Sequence, residues 1–371
     1  MKFSVSSSEL VKGLSAVIGA VPSKATLPIL ETVLFKSEDG KLKLTSSDLE
    51  ISIVHYIDAH ITEDGAVAIP AKRLNETLRQ LPDIPVEFTI NDSNTVSFKT
   101  NNGTYKLAGE NADDFPEIVN PDDGLTINTT GSVIRKAIKK TVFAVSNDDL
   151  RPAMMGVLFQ IGEDESRFVA TDGHRLVRYT NHSIKSKESR DFIIPNKALS
   201  QVEKLIDDDV CTIHISEDHA LFQSDRTRIV TRLINEPYPK YEAVIPKDND
   251  KILTINKLDM LAMVKRVAIF SSTSTHQVRL QLEAGKLTIK AEDIDLSSEA
   301  KETITCDYKD EAMEIGFNAR YLADVLSNIE DQEVLFEFST PNRAGILKPV
   351  TQKEDEAILM LVMPVMLNNY A

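Results

Sequence analysis

Three stretches, IPAKRLNETLRQL (residues 69–81), IPNKALSQVEKLI (194–206) and GFNARYLADVLSNI (316–329), repeat one pattern at intervals of roughly 125 residues. Each sets a small or polar residue before a run whose Leu and Val recur at threes and fours, the spacing of an amphipathic helix. An alternating, strand-like run follows each: VEFTI (86–90), CTIHIS (211–216) and VLFEFS (334–339). A unit of this length is domain-sized and too long for a solenoid repeat.

A second series interleaves with the first: SSELVKGLSAVIGAV (7–21), GSVIRKAIKKTVFAV (131–145) and NKLDMLAMVKRVAIF (256–270). After each come two strand-like runs, as in MGVLFQIGE (155–163) with RFVATDGHRLVRYT (167–180). The chain therefore reads as three domains, 1–124, 125–249 and 250–371, each built from two copies of a strand, a helix and antiparallel strands. Linkers are predicted near DDFPEIVNPDDG and EPYPKYEAVIPKDND, where Pro, Asp and Lys displace the periodic apolar residues. The fold class is α+β, with helices on one side of antiparallel sheets.

Composition narrows the function classes. A chain of 371 residues with 42% hydrophobic and 27% charged residues has enough apolar material for ordinary cores. Its two cysteines, Cys211 and Cys306, match no zinc or redox spacing, so a reducing cytoplasm is the expected setting. The opening MKFSVSSSEL lacks the apolar core of a signal peptide. The longest uncharged apolar run, AILMLVMPVML (357–367), contains Pro364 and falls far short of the ~20 residues that span a bilayer.

Charge is unevenly distributed. The formal net charge is −15. Yet the six helical segments predicted at 8–20, 71–81, 132–145, 196–206, 256–270 and 318–329 hold 14 Lys+Arg against 5 Asp+Glu, leaving −24 for the rest. In the third segment Ile134, Ile138, Val142 and Val145 form an apolar stripe, and Arg135, Lys136, Lys139 and Lys140 lie off it. Repeated helices backed on sheets and sharing one sign outward suit a common axis around a polyanion. Six helices, each ~10 Å across, enclose a clear width of roughly 9 Å, less than the ~12 Å of a DNA major groove alone. Twelve leave roughly 28 Å, so two chains are needed to surround a duplex.

Six motifs add a resemblance. TLPILE (26–31), LTSSDLE (44–50), ATDGHRL (170–176), YPKYEAVIP (238–246), MEIGFNARYLADVL (313–326) and VMPV (362–365) make the whole chain similar to the bacterial DNA polymerase III beta subunit family, the sliding clamps. The resemblance implies a DNA-clamp fold that closes as a head-to-tail homodimeric ring, helices around the hole and sheets outside. It implies a processivity factor that encircles double-stranded and primed DNA without reading sequence. It also implies a tether for the polymerase III catalytic subunit and for other polymerases and repair proteins carrying clamp-binding peptides. An ATP-dependent clamp loader would open the ring; the family has no catalysis of its own, no cofactor and no metal. The expected location is the cytoplasm, associated with the nucleoid.

Candidate phosphate contacts are Lys24, Lys72, Arg73, Arg79, Arg135, Lys136, Lys139, Lys140, Lys197, Lys265 and Arg266, which would bind backbone rather than bases. Carried over from the family, the peptide pocket comprises Met154, Thr171, Gly173, His174, Arg175, Leu176, Pro239, Val244, Leu361 and Met363. A shallower cleft beside it takes Arg151, Ala153, Ala243, Pro364, Val365 and Met366. Two departures from the family stand out: Met366 replaces an expected Arg, and the chain runs on through NNYA, a tail long enough to cover part of the groove. The dimer contact falls on NNGTYKLAG (101–109), with Tyr105 and Lys106, and on Ile269 and Phe270.

Two other readings compete. Asp172 and His174 lie close enough for acid–base chemistry, which would suit a metal-dependent phosphohydrolase. No phosphate loop, HExxH or nucleophile elbow accompanies them, and a strand end with a locally bonded His174 explains the pair as well. A scaffold that binds only proteins is the other alternative, and it leaves the basic helices unexplained.

Overall fold

The computed structural model describes residues 1–121 and 124–367. Six α-helices occur in it: α1 (Ser7–Val17), α2 (Ala71–Leu78), α3 (Gly131–Thr141), α4 (Asn196–Leu205), α5 (Lys257–Ala268) and α6 (Ala319–Ser327). All six fall where the apolar periodicity places them, with ends shifted by a few residues. Side chains set several starts. Ser6 accepts from the Glu9 N–H at the head of α1, Asn256 from Leu258 and Asp259 at α5, and Asn318 from Arg320 at α6. The third helix is shorter than its apolar stripe, because the Thr141 hydroxyl donates to the Ala137 and Ile138 carbonyls and the chain tightens into a 3₁₀ turn over Val142–Ala144. Ile134, Ile138 and Val145 of that stripe are buried.

By contact density the chain divides into two compact units, residues 1–135 with 197–233, and 136–196 with 234–371. The first unit contains a five-stranded sheet and an eight-stranded sheet, both antiparallel. In the five-stranded sheet a row of stacked rings, Phe3, Phe88, Phe98 and Tyr105, with centroids 4.7 to 5.1 Å apart, runs to the edge strand Gly103–Ala108. In the eight-stranded sheet, strand Thr227–Arg232 of the middle repeat pairs with Ile51–Asp58 of the first. The second unit contains a nine-stranded and a five-stranded sheet. There, strand Arg175–Asn181 of the middle repeat pairs with Glu356–Val362 of the last. The middle repeat thus contributes strands to a sheet in each unit, a sharing that alternation within single strands does not reveal.

One turn recurs in all three repeats. The Asp48 carboxylate accepts from the N–H groups of Glu50 and Ile51 at 2.9 and 2.7 Å, Asp172 from His174 and Arg175 at 2.9 and 3.0 Å, and Asp293 from Asp295 and Leu296 at 3.1 and 3.2 Å. Such side-chain-to-backbone bonds replace the turn's own backbone pairing. Gly173 has φ +89°, and Leu49 stands in the corresponding place of the first repeat at φ +76°. That left-handed conformation costs a residue with a Cβ roughly 1–2 kcal/mol. The tertiary bond is repeated too: the Glu50 carbonyl accepts from Arg232 at 3.0 Å and the His174 carbonyl from Met363 at 2.8 Å.

Candidate functional site

The middle-repeat turn leads into an apolar cluster of the second unit. Strand Ser166–Thr171 delivers Thr171, whose hydroxyl donates to the Arg175 carbonyl at 2.7 Å and accepts from the Gly173 N–H at 3.1 Å. Leu176 and Leu361 face each other as paired residues on adjacent strands. They belong to a buried apolar cluster with Leu158, Val169, Ile193, Tyr241 and Ala344, against which the partly buried Ala153, Ile234, Tyr238 and Ile245 pack. Burial pushes the hydroxyl pKa of Tyr241 and Tyr238 upward, so both remain neutral donors, to Gln160 at 2.5 Å and to the Val169 carbonyl at 3.2 Å. Met154 sits on the 3₁₀ turn Pro152–Met155, its carbonyl accepting from Ser146 at 2.8 Å. Pro239 fixes the start of the turn Tyr241–Val244 through a 2.7 Å bond to the Tyr241 N–H.

Polar groups border the cluster. Arg151 donates to Asp148 at 2.8 Å and to the Asp172 carbonyl at 2.9 Å, and its Nη1 lies 4.0 Å from the Met154 sulfur. A Cβ on Gly173 would come within 2.9 Å of that Nη1, so only glycine leaves the arginine in place. His174 is exposed and stacks on Tyr321 of α6, ring centroids 5.4 Å apart. Val244, Met363 and Met366 expose their side chains. Pro364 and Val365 pair with Phe317 and Gly316 as a short last strand. The predicted covering tail, Asn368–Ala371, lies outside the described residues.

Arg175 does not offer a free guanidinium to the groove. It is buried, and it donates to Asp172 at 3.1 Å, to Asp324 of α6 at 2.5 Å and to the Phe143 carbonyl at 2.7 Å, with the rings of Phe143 and Tyr321 over it. Every edge of the guanidinium is used within the fold. Asp172 is likewise engaged, capping the turn and holding Arg175. Among the described residues no group of His, Cys, Asp and Glu could hold a metal ion. Sequence reasoning overlooked Tyr238, Tyr241 and Tyr321; the paired tyrosines of YPKYEAVIP were the available signal.

The eleven basic candidates sort into three groups. Lys24, Lys72, Arg73, Arg79, Lys139 and Lys265 are exposed and make no ion pair among the described residues. Arg135, Lys136, Lys197 and Arg266 each meet an acid, respectively Asp208, Glu356, Asp48 and Glu302, the last as a fork at 2.6 to 3.2 Å. Lys140 differs in kind. Its side chain is only 9% exposed, and the ammonium donates to the Asn328 carbonyl at 3.1 Å and to Glu330 at 2.8 Å. Helix α3 thus presents Lys139 outward and turns Lys140 into the fold. The sequence count missed this because the acids arrive from segments 36 to 220 residues away.

The seam candidates lie at edges. Tyr105 and Lys106 are on the edge strand of the first five-stranded sheet, and Ser298–Thr305 is the edge of the last. Ile269 and Phe270, just past α5, are 78% and 40% exposed, too open for the end of a buried helix. No helix among the described residues is long and apolar enough to cross a membrane.

Three domain models of the DNA polymerase III beta subunit match this chain: the N-terminal domain over residues 1–119, the central domain over 128–240 and the C-terminal domain over 242–366. The beta sliding clamp of Pseudomonas putida is 30% identical over 365 residues, 97% of this chain and 99% of its own. That of Chlamydia muridarum is 28% identical over 371 residues, the full length of both. Among solved structures, the Pseudomonas aeruginosa DnaN sliding clamp bound to griselimycin aligns with a TM-score of 0.94 at 29% identity, covering 99% of this chain and 100% of that one. The Bacillus subtilis DNA polymerase sliding clamp aligns at 0.93 with 25% identity, covering 99% of each.

Proposed function

This chain belongs to the DNA polymerase III beta subunit family, the beta sliding clamps, and from that premise we infer how its parts work. It is a DNA polymerase processivity factor. Two copies close head to tail into a ring around duplex DNA, with the strand Gly103–Ala108 of one copy beside Ser298–Thr305 of the other and Ile269 and Phe270 packed at the seam. Pairing the two edges removes the aggregation hazard each would carry alone. The three repeats form clamp domains 1–124, 125–249 and 250–371.

Lys24, Lys72, Arg73, Arg79, Lys139 and Lys265 contact phosphates directly, a role supported by their exposure and lack of acid partners. Arg135, Lys136, Lys197 and Arg266 contribute by exchanging an acid for phosphate. Such contacts carry no sequence information and permit sliding. The groove around Leu176, Leu361, Met154, Val244 and Met363 takes extended peptides of the polymerase and of other replication and repair proteins, Met supplying an adaptable wall. Arg175 serves it as a positioning residue. An ATP-driven loader opens the ring, and the complex works in the cytoplasm on the nucleoid.

The observation that carries this reading is the match of all three domains in order along the whole chain, joined to an apolar cluster beside a glycine turn. Primer extension on a long single-primed circle, with polymerase and clamp loader, tests it. Products should lengthen when this protein is added and shorten again with Met363→Ala; identical product lengths with and without the protein would defeat it.

A further inference from the structure

Beside the apolar groove lies a charged cavity that the roles above leave unused. It measures about 590 Å³ and is lined by the segment 242–248, by Asn342, Arg343 and Ala344, and by Met363. Val244 and Met363, assigned above to the peptide groove, also line this cavity.

Its charges do not cancel. Glu242 is already neutralised, accepting from Arg167 at 3.1 Å and from Arg178 at 3.0 Å. Asp248 is engaged by Nη1 of Arg343, which reaches both of its oxygens. Lys247 and the Nε and Nη2 edge of Arg343 have no partner among the described residues. The arginine is also held in place at its base. Its N–H closes a turn onto the Thr340 carbonyl at 3.1 Å, with Pro341 presetting the turn's second residue. The Asn249 amide ties the same loop down through the Glu337 and Ala344 carbonyls at 3.0 and 3.1 Å. The side chain itself is 51% exposed. A guanidinium fixed on one edge by a carboxylate presents its other edge as a fork for a second carboxylate.

We propose that this cavity is an anion subsite of the groove, in which Arg343 and Lys247 receive a carboxylate side chain flanking the apolar anchor of a bound peptide. The assignment rests on the groove's reading as a peptide site. It predicts that partners are selected for an acidic neighbour although the protein as a whole is acidic and repels anions at long range.

The test is fluorescence anisotropy on the full chain with one apolar clamp-binding peptide extended at either end by two Asp, two Asn or two Lys residues. At about 50 mM salt the Asp extension at one end should bind about fivefold more tightly than the Asn extension, and the ratio should shrink at high salt. In Arg343→Gln and Lys247→Gln the ratio of Asp to Asn affinities should fall toward one, each variant's own Asn peptide reporting that its groove is intact. Equal affinity for the extensions, a preference for Lys, or an Asp preference that survives both substitutions would overturn the subsite alone. Failure of every peptide to bind the unsubstituted chain would overturn the groove and the subsite with it.

Discussion

Lys139 and Lys140 are neighbours in sequence and opposite in environment, one exposed and one seated against Asn328 and Glu330. Lys140→Met should therefore cost about 1.5–3 kcal/mol in urea denaturation, the worth of a hydrogen bond to a charged group. Lys139→Glu should leave stability unchanged and lower the salt-sensitive part of DNA retention. The reverse pattern would return Lys140 to the phosphate-binding set. Acid should act on the same contacts. Burial pushes the Glu356 carboxyl up, but hydrogen bonds from Lys136 and Tyr179 outweigh it and its pKa ends below the ordinary 4.5; Lys140 lowers Glu330 likewise. Groups with depressed pKa stabilise the fold above their unfolded value and lose that contribution as pH falls through the folded one. Stability measured below about pH 4.5 should thus drop, and the double variant Lys136→Met/Lys140→Met should show a shallower drop over that window. Charge counted along a helix was legible at this scale; the acids that answer it were not, because they come from segments distant in sequence.

Helices and strands were legible because apolar spacing is a local property. Each expected helix is present, and α3 ends early for a reason no periodicity carries, a threonine hydroxyl turned back on its own carbonyls. Of the residues named for the peptide pocket, Leu176 and Leu361 meet on paired strands within one apolar cluster. The direction of Arg175 was not legible, since ATDGHRL says nothing of Asp324 and Phe143. That arginine joins the turn Thr171–Arg175 to α6 and to the 3₁₀ turn after α3. Arg175→Met should destabilise by about 3 kcal/mol by leaving buried acid and carbonyl groups unanswered. Arg175→Lys should recover little, because one ammonium cannot reproduce three separately directed bonds. Thermal denaturation of the two variants checks this, and a wild-type melting temperature in either would contradict the positioning role.

For the whole molecule, the proposed seam joins two edge strands, and the exposed Ile269 and Phe270 are its proposed apolar contact. Phe270→Asp should convert a particle of twice 41.3 kDa into one of 41.3 kDa by light scattering; a dimer undisturbed by the charge would move the seam elsewhere. Sharing of strands between repeats is the feature that sequence could not convey, because register between distant strands is set by packing of whole sheets. The central claim, that this protein holds DNA by surrounding it, is tested most directly by loading it onto a nicked circle, raising salt and then cutting the circle once. Retention on the circle followed by release within the time needed to slide off an end is the predicted result. Equal retention before and after cutting, or equal loss at high salt from circle and linear duplex, would contradict it.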